Sequence, residues 1–190
     1  YANMLYKGDG IAVNKKEAAR YYKMAADKGI EGAMSSLALM LYKGDVIAIN
    51  KVEAARYYKM SADRGNVCSM YNYGYFLFSG EGVAVNKREA ARYYNMAADR
   101  GYESAMNSYA YMLQKGDGIA MNKREAIRYY KMAIDKGSAN AMYNYGLMLV
   151  NGDGIAVNKR EAARYFKMGA DRGHYPSLNN YEYLKENGMI

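Results

Sequence analysis

The 190-residue sequence has no tryptophan, one cysteine and one histidine, and each shortage closes off a class of structure or chemistry. The lone Cys68 excludes an internal disulfide framework and fits a reducing compartment. The lone His174 has no Cys or Asp set at ligand spacing around it, so neither a metal centre nor a catalytic histidine is expected there. No apolar run is long enough to cross a bilayer, and no secretory signal is present; the expected location is intracellular, cytoplasmic or cytoskeletal. Apolar residues nevertheless make up 51% of the chain, with 23 Tyr and 15 Met. The core must therefore be built from Ala, Tyr, Met and Leu through small, regular contacts. The formal charge of +8 is spread thinly along the chain, a surplus that repetition accumulates.

What the sequence does have is self-similarity. The stretch GDGIAMNKREAIRYY at 116–130 recurs in close copies, with its glycine at Gly8, Gly44, Gly80, Gly116 and Gly152 and its asparagine at Asn14, Asn50, Asn86, Asn122 and Asn158, a step of 36 residues. A period of this size means a stacked array in which neighbouring units bury each other's apolar faces. No linker interrupts it, so a single array over 1–190 is expected: a partial helix at 1–8, then units 9–44, 45–80, 81–116, 117–152 and 153–188. The chain opens at Tyr1 in mid-pattern, where Ala2, Met4 and Leu5 keep the core spacing, which makes a piece of a longer chain the expectation.

Each unit reads as two helices. Asn122 and Glu125 have capping-box spacing, and Met121 and Ala126 have hydrophobic-staple spacing, as do Val13 and Ala18, or Val85 and Ala90. From this start Ala126, Tyr129, Tyr130, Ala133 and Ile134 form a stripe of helical period, ended at Gly137 by a left-handed cap like those at Gly29, Gly65, Gly101 and Gly173. This is helix B. A second stripe, helix A, runs through Ala141, Met142, Tyr145, Gly146, Met148 and Leu149 to Gly152. Its small residue (Ala38, Gly74, Ala110 or Gly146) lies where a large side chain would hold the paired helix away. The short loop from A to B forces an antiparallel hairpin. In the last copy Glu182, Lys185 and Glu186 replace core residues, so 178–187 reads as a C-terminal capping helix with a polar outer face.

The pattern Ala141, Tyr145-Gly146, Leu149, Gly152-Asp153-Gly154-Ile155, Lys159, Ala162, Tyr165, Met168-Gly169-Ala170 and Gly173 resembles the Sel1-like repeat, a relative of the tetratricopeptide repeat, and the resemblance extends through all five units. Ala12, Ala48, Ala84, Ala120 and Ala156 stand where that family often has Pro, and Val46 replaces the second loop glycine in one copy. The resemblance implies an all-α, right-handed α-solenoid of antiparallel helix-turn-helix repeats, with helix A lining the concave face. It also implies an adaptor role in assembling protein complexes. Cysteine-rich bacterial members are associated with β-lactam binding or hydrolysis, but their paired cysteines are missing here.

The repeated G-D-G lacks both the ligand set of an EF-hand and the G-x-x-x-x-G-K-[ST] of a phosphate loop, so Asp9, Asp45, Asp117 and Asp153 are read as turn stabilisers. Cys68 and His174 lie three repeats apart, too far for a nucleophile pair. Helix B carries basic ridges at Lys16-Arg20-Lys23, Arg88-Arg92, Arg124-Arg128-Lys131 and Arg160-Arg164-Lys167. They are read as a solvated outer face, with at most a weak anionic partner and no specific nucleic acid. Within the chain, loops and helix B are nearly invariant while exposed helix A positions vary, as a binding groove requires. The expected function is a non-enzymatic, cofactor-free scaffold that holds a peptide or protein against Tyr71, Asn72, Tyr75, Asn107, Tyr111, Tyr143 and Asn144, with no membrane partner. The alternative is a structural spacer in a large assembly such as a cytoskeletal or ciliary lattice.

Overall fold

A computed structural model describes residues 1–44 and 46–190; Asp45, one of the four expected turn stabilisers, lies outside the described residues. The A helices are α1 (Ala2–Lys7), α3 (Glu31–Lys43), α5 (Val67–Ser79), α7 (Glu103–Lys115), α9 (Ala139–Asn151) and α11 (Tyr175–Glu186). The B helices are α2 (Lys15–Asp27), α4 (Lys51–Asp63), α6 (Lys87–Asp99), α8 (Lys123–Asp135) and α10 (Lys159–Ala170). No strand occurs among the described residues, and the all-α fold built of repeated hairpins is the one the 36-residue period predicts. The chain forms two compact units, Tyr1–Arg100 and Gly101–Ile190. In the first, α3 packs on α4 and α5 on α6; in the second, α7 packs on α8, and α9 and α11 pack on α10.

The ends of helix B follow from its sequence. Asn122 Oδ1 accepts the Glu125 N–H at 3.0 Å, and the same bond recurs at Asn14, Asn50, Asn86 and Asn158. The reciprocal half of a capping box does not form. The Asn122 N–H instead donates to Leu113 O, closing the loop onto the preceding helix, and Glu125 turns to Arg128. At the other end, Gly137 N–H donates to Ile134 O and Ser138 N–H to Ala133 O, the paired bonds of a Schellman cap. The expected staple is also replaced: Val85 and Met121 remain 57% and 58% exposed. Val85 lies over the left-handed Gly80, where an added Cβ would meet its Cγ2 at 2.7 Å.

The core is the meeting line of the two stripes. Ala126, Tyr130 and Ala133 are fully buried, Tyr129 nearly so, and Ile134 half-buried. One ring from each helix forms an edge-to-face pair, with centroids 4.9 Å apart for Tyr73–Tyr93 and for Tyr109–Tyr129 and 5.0 Å apart for Tyr145–Tyr165. Each such pair adds about 0.5–1.5 kcal/mol beyond the area it buries. The small helix A residue has the role expected of it: a Cβ on Gly146 would meet the Phe166 ring at 2.6 Å, and one on Gly74 the Tyr94 ring at 3.0 Å.

Helix α11 begins at Tyr175, three residues ahead of the expected 178, because His174 caps it. His174 Nδ1 accepts the Ser177 N–H at 3.3 Å and lies 2.8 Å from Ser177 Oγ. Apart from Ser177 and Leu184 the helix is exposed or half-buried, and Glu182, Lys185 and Glu186 face solvent.

Candidate protein-binding face

In the second unit, α7 and α9 lie side by side closely enough that Asn144 Nδ2 donates to Asn107 Oδ1 at 2.9 Å. The pair spends one group of each amide and leaves the Asn107 donor and the Asn144 acceptor for another molecule. One turn further along α7, Tyr111 is 42% exposed. Tyr143 is half-buried, its ring 6.0 Å from Phe166 and 5.2 Å from His174. Burial lowers the His174 pKa, so the ring is held neutral, as its acceptor role in the α11 cap demands.

In the first unit, Tyr71, Asn72 and Tyr75 share one face of α5. Tyr71 leans on Tyr94 with centroids 5.6 Å apart and is half-buried, as is Asn72. Tyr75 is 38% exposed, and its hydroxyl donates to Glu81 Oε1 at 3.3 Å. Burial, and then the Glu81 carboxylate, raise its pKa. The four tyrosines among the seven expected residues therefore fall into two kinds. Tyr75 and Tyr111 offer rings to solvent, while Tyr71 and Tyr143 are seated on helix B aromatics.

Between consecutive A helices lies a crevice that sequence reasoning missed. In the first unit it is a cavity of about 280 Å³ lined by Asn3, Tyr6, Ser36, Leu39 and Tyr22. In the second unit the residues 144 positions later, Leu147, Val150, Asn180, Tyr183 and Phe166, line one of about 330 Å³. The two are the same repeat feature, floored by the ring at one position of helix B.

The loops stand beside this face and link the repeats. Asp153 is not spent on its own turn: Gln114 Nε2 donates to its Oδ2 at 2.7 Å and Lys123 Nζ pairs with Oδ1 at 2.6 Å. These partners, Gln114 first, hold its carboxyl below the usual range. Lys51 pairs with Glu81 in the same way at 3.1 Å. The approach is close enough that a Cβ on Gly154, whose φ is +74°, would meet Lys123 Cβ at 2.5 Å, which explains the second loop glycine. A lysine at the first position of helix B and an acid 30 residues on were both visible in the sequence, but neither looked like a pair without the stacking register.

Part of each basic ridge is paired locally. Arg92 and Arg128 donate through Nε to Glu89 and Glu125 at 3.0 Å and lie over the rings of Tyr93 and Tyr129 at 4.6 and 4.5 Å. Lys23 and Lys167 reach Asp27 and Asp171. Cys68 is exposed. Among the described residues no group of three or more His, Cys, Asp or Glu side chains is placed to hold a metal, and no helix is long and apolar enough to cross a membrane.

The model of the Sel1 repeat matches residues 1–30, 32–66, 69–102, 103–138 and 139–174. Each match holds one helix A, or most of it, with the helix B that follows, and ends at the N-cap residue of the next helix A. Among solved structures, the chain is similar to a Sel1 repeat protein from Oxalobacter formigenes, with 26% identity and a TM-score of 0.93 over 98% of this chain and 74% of that one. It is also similar in fold to a protective antigen of uropathogenic Escherichia coli with an SLR fold, at 23% identity and a TM-score of 0.89 over all of this chain and 40% of that one. A third similarity is to the Helicobacter pylori cysteine rich protein B, at 24% identity and a TM-score of 0.54 over 68% of this chain and 95% of that one. The chain thus spans about 40% of the length of the E. coli antigen. No protein of curated function matches it in sequence. With five repeat matches that together cover most of its length, the chain belongs to the Sel1-repeat family.

Proposed function

We propose that the chain is a non-enzymatic scaffold that holds an extended peptide segment against the face made by its A helices. Sel1 repeats are generally protein-interaction scaffolds. The observation that carries the finer reading is the Asn107–Asn144 pair in the second unit, with the exposed Tyr111 one turn away. An extended backbone offers alternating N–H and C=O groups, and the pair retains one donor and one acceptor to meet them. Tyrosine adds broad apolar area with a polar tip at low entropic cost. The crevices beside this face supply sockets for anchoring side chains, and part of the charge on helix B is engaged by its own carboxylates.

The test is a selection of peptides from a random displayed library, followed by calorimetry on the parent and two variants. The Tyr75→Ala/Tyr111→Ala variant loses about 30-fold or more in affinity, the scale of a lost hot spot. The Arg128→Glu/Arg164→Glu variant keeps its affinity. Retention by the first and loss by the second would place binding on helix B and overturn the proposal.

A further inference from the structure

The lysine that opens each helix B has a repeated environment, and in one repeat that environment is stripped. Lys51 Nζ lies 5.8 Å from the Tyr42 ring centroid, nine residues earlier, and 3.1 Å from the Glu81 carboxylate, 30 residues later. Lys123 has Gln114 at the first of these positions and Asp153 at the second, and the two are joined to each other as well as to the repeat they clamp. Lys159 has Val150 and Met189 there. Among the described residues its Nζ reaches only the Met189 sulfur, at 3.5 Å. A thioether is a weak, neutral acceptor in the place where two equivalent lysines hold a carboxylate.

Lys159 is also half-buried on the wall of the second-unit crevice of about 330 Å³, beside Leu147, Val150, Phe166, Leu184 and Met189, with Asn180 among the lining residues. A cation lacking its anion thus borders an apolar socket with an amide in its wall. A ligand that satisfies all three carries a negative charge directly beside an apolar group and an amide backbone. The C-terminal residue of a polypeptide, when its side chain is apolar, has that combination in one residue. A fatty acid supplies the charge and the apolar body but leaves the Asn180 amide unanswered.

We propose that this crevice is a receptor for a partner polypeptide's C-terminal residue, with its α-carboxylate on Lys159 and its apolar side chain against Phe166 and Leu184. The inference rests on the helix A face being the binding face, and it adds a polarity: the bound segment ends at this crevice.

The experiment uses the full chain, labelled with ¹⁵N and with ¹³C methyl groups, titrated with acetyl-Gly-Gly-Leu as the free acid, with the same peptide as its C-terminal amide, and with octanoate. The free acid shifts the Leu147, Val150 and Leu184 methyl resonances in a saturable way, and the amide binds about tenfold or more weakly, the size of one charge-assisted hydrogen bond. Lys159→Met, which keeps the length of the apolar stem, abolishes the difference between acid and amide while leaving the helical circular dichroism and melting temperature unchanged. Equal binding of acid and amide to the parent chain, an acid preference that survives Lys159→Met, or octanoate binding as tightly as the peptide acid would overturn the assignment, as would the absence of methyl shifts with the free acid at 10 mM, roughly the weak limit of a one-residue contact. The broader reading is read out separately, since library-selected peptides report at Tyr111, Asn107 and Asn144 whatever happens at Lys159.

Discussion

Replacing Tyr130 tests the core with a magnitude that can be worked from its surroundings. The ring is fully buried between the A and B helices of its repeat, and burial raises the phenol's pKa well above its ordinary value. Its hydroxyl donates to Gln114 Oε1 at 2.9 Å, and Gln114 in turn donates to Asp153. Truncation to Ala removes a large ring from a packed interior, which costs about 3–5 kcal/mol. Removing the hydroxyl alone, in Tyr130→Phe, leaves Gln114 Oε1 without that donor and costs about 1–3 kcal/mol. Domains of this size are stable by about 5–15 kcal/mol, and in a stacked array each repeat relies on its neighbours, so Tyr130→Ala unfolds α7 and α8 well before the parent. Urea titrations followed by circular dichroism, with amide exchange to locate the loss, give both values. A Tyr130→Ala variant within about 1 kcal/mol of the parent would refute the packing described, since no buried ring is that cheap to delete. Equal losses for the Phe and Ala variants would refute the division between ring and hydroxyl.

Three further outcomes follow from the charges. His174 has a lowered pKa and caps α11 through an unprotonated Nδ1, so the cap's contribution is present above the ordinary histidine value of about 6.5 and is lost as pH falls through the folded value. The Ser177 amide shift and α11 exchange rates, followed by NMR, should change together with a midpoint below about 6.5; a midpoint above it would contradict the cap. Asp153 also has a lowered pKa, so its contribution is present above about 3.9 and disappears as pH falls through the folded value. Asp153→Asn should therefore flatten the acid limb of the melting-temperature profile, and a profile parallel to the parent's would exclude the clip. The helix B ridges, with Arg20, Arg92 and Arg128 paired to glutamates, should bind heparin only weakly and lose it between about 50 and 200 mM salt; retention above that range, measured by column elution, would give these ridges a role in recognition.

The architecture was legible because its signals are local. Asn122 before Glu125, Gly137 after the stripe, and a small residue at Gly146 each act within a few residues or against one partner helix, so the 36-residue period carried them through the chain. The seven proposed contact positions were chosen by their variation between copies, a signal that marks positions outside the invariant packing stripes. What variation could not separate was Tyr75 and Tyr111, whose rings face solvent, from Tyr71 and Tyr143, which rest on Tyr94 and Phe166. That distinction depends on where helix B passes beneath helix A. The Lys123–Asp153 clip and the crevice beside Phe166 were hidden for the same reason, since each joins residues from two repeats. Glu125 shows the limit of spacing rules: its position fits a capping box, yet the Asn122 N–H is taken by Leu113 O, and the carboxylate is free to pair with Arg128.

The central claim, that the A helices carry binding, is tested most directly by mapping a library-selected peptide onto the ¹⁵N-labelled chain. The side-chain amide resonances of Asn107 and Asn144 report on the proposed contact itself, because binding recruits the donor and acceptor that their mutual hydrogen bond leaves over. Saturable shifts of those amides and of Tyr111, with Arg128 and Arg164 unmoved, are the predicted result. Shifts confined to Arg128, Arg164 and their neighbours on helix B, with the two asparagine amides unchanged, would contradict it.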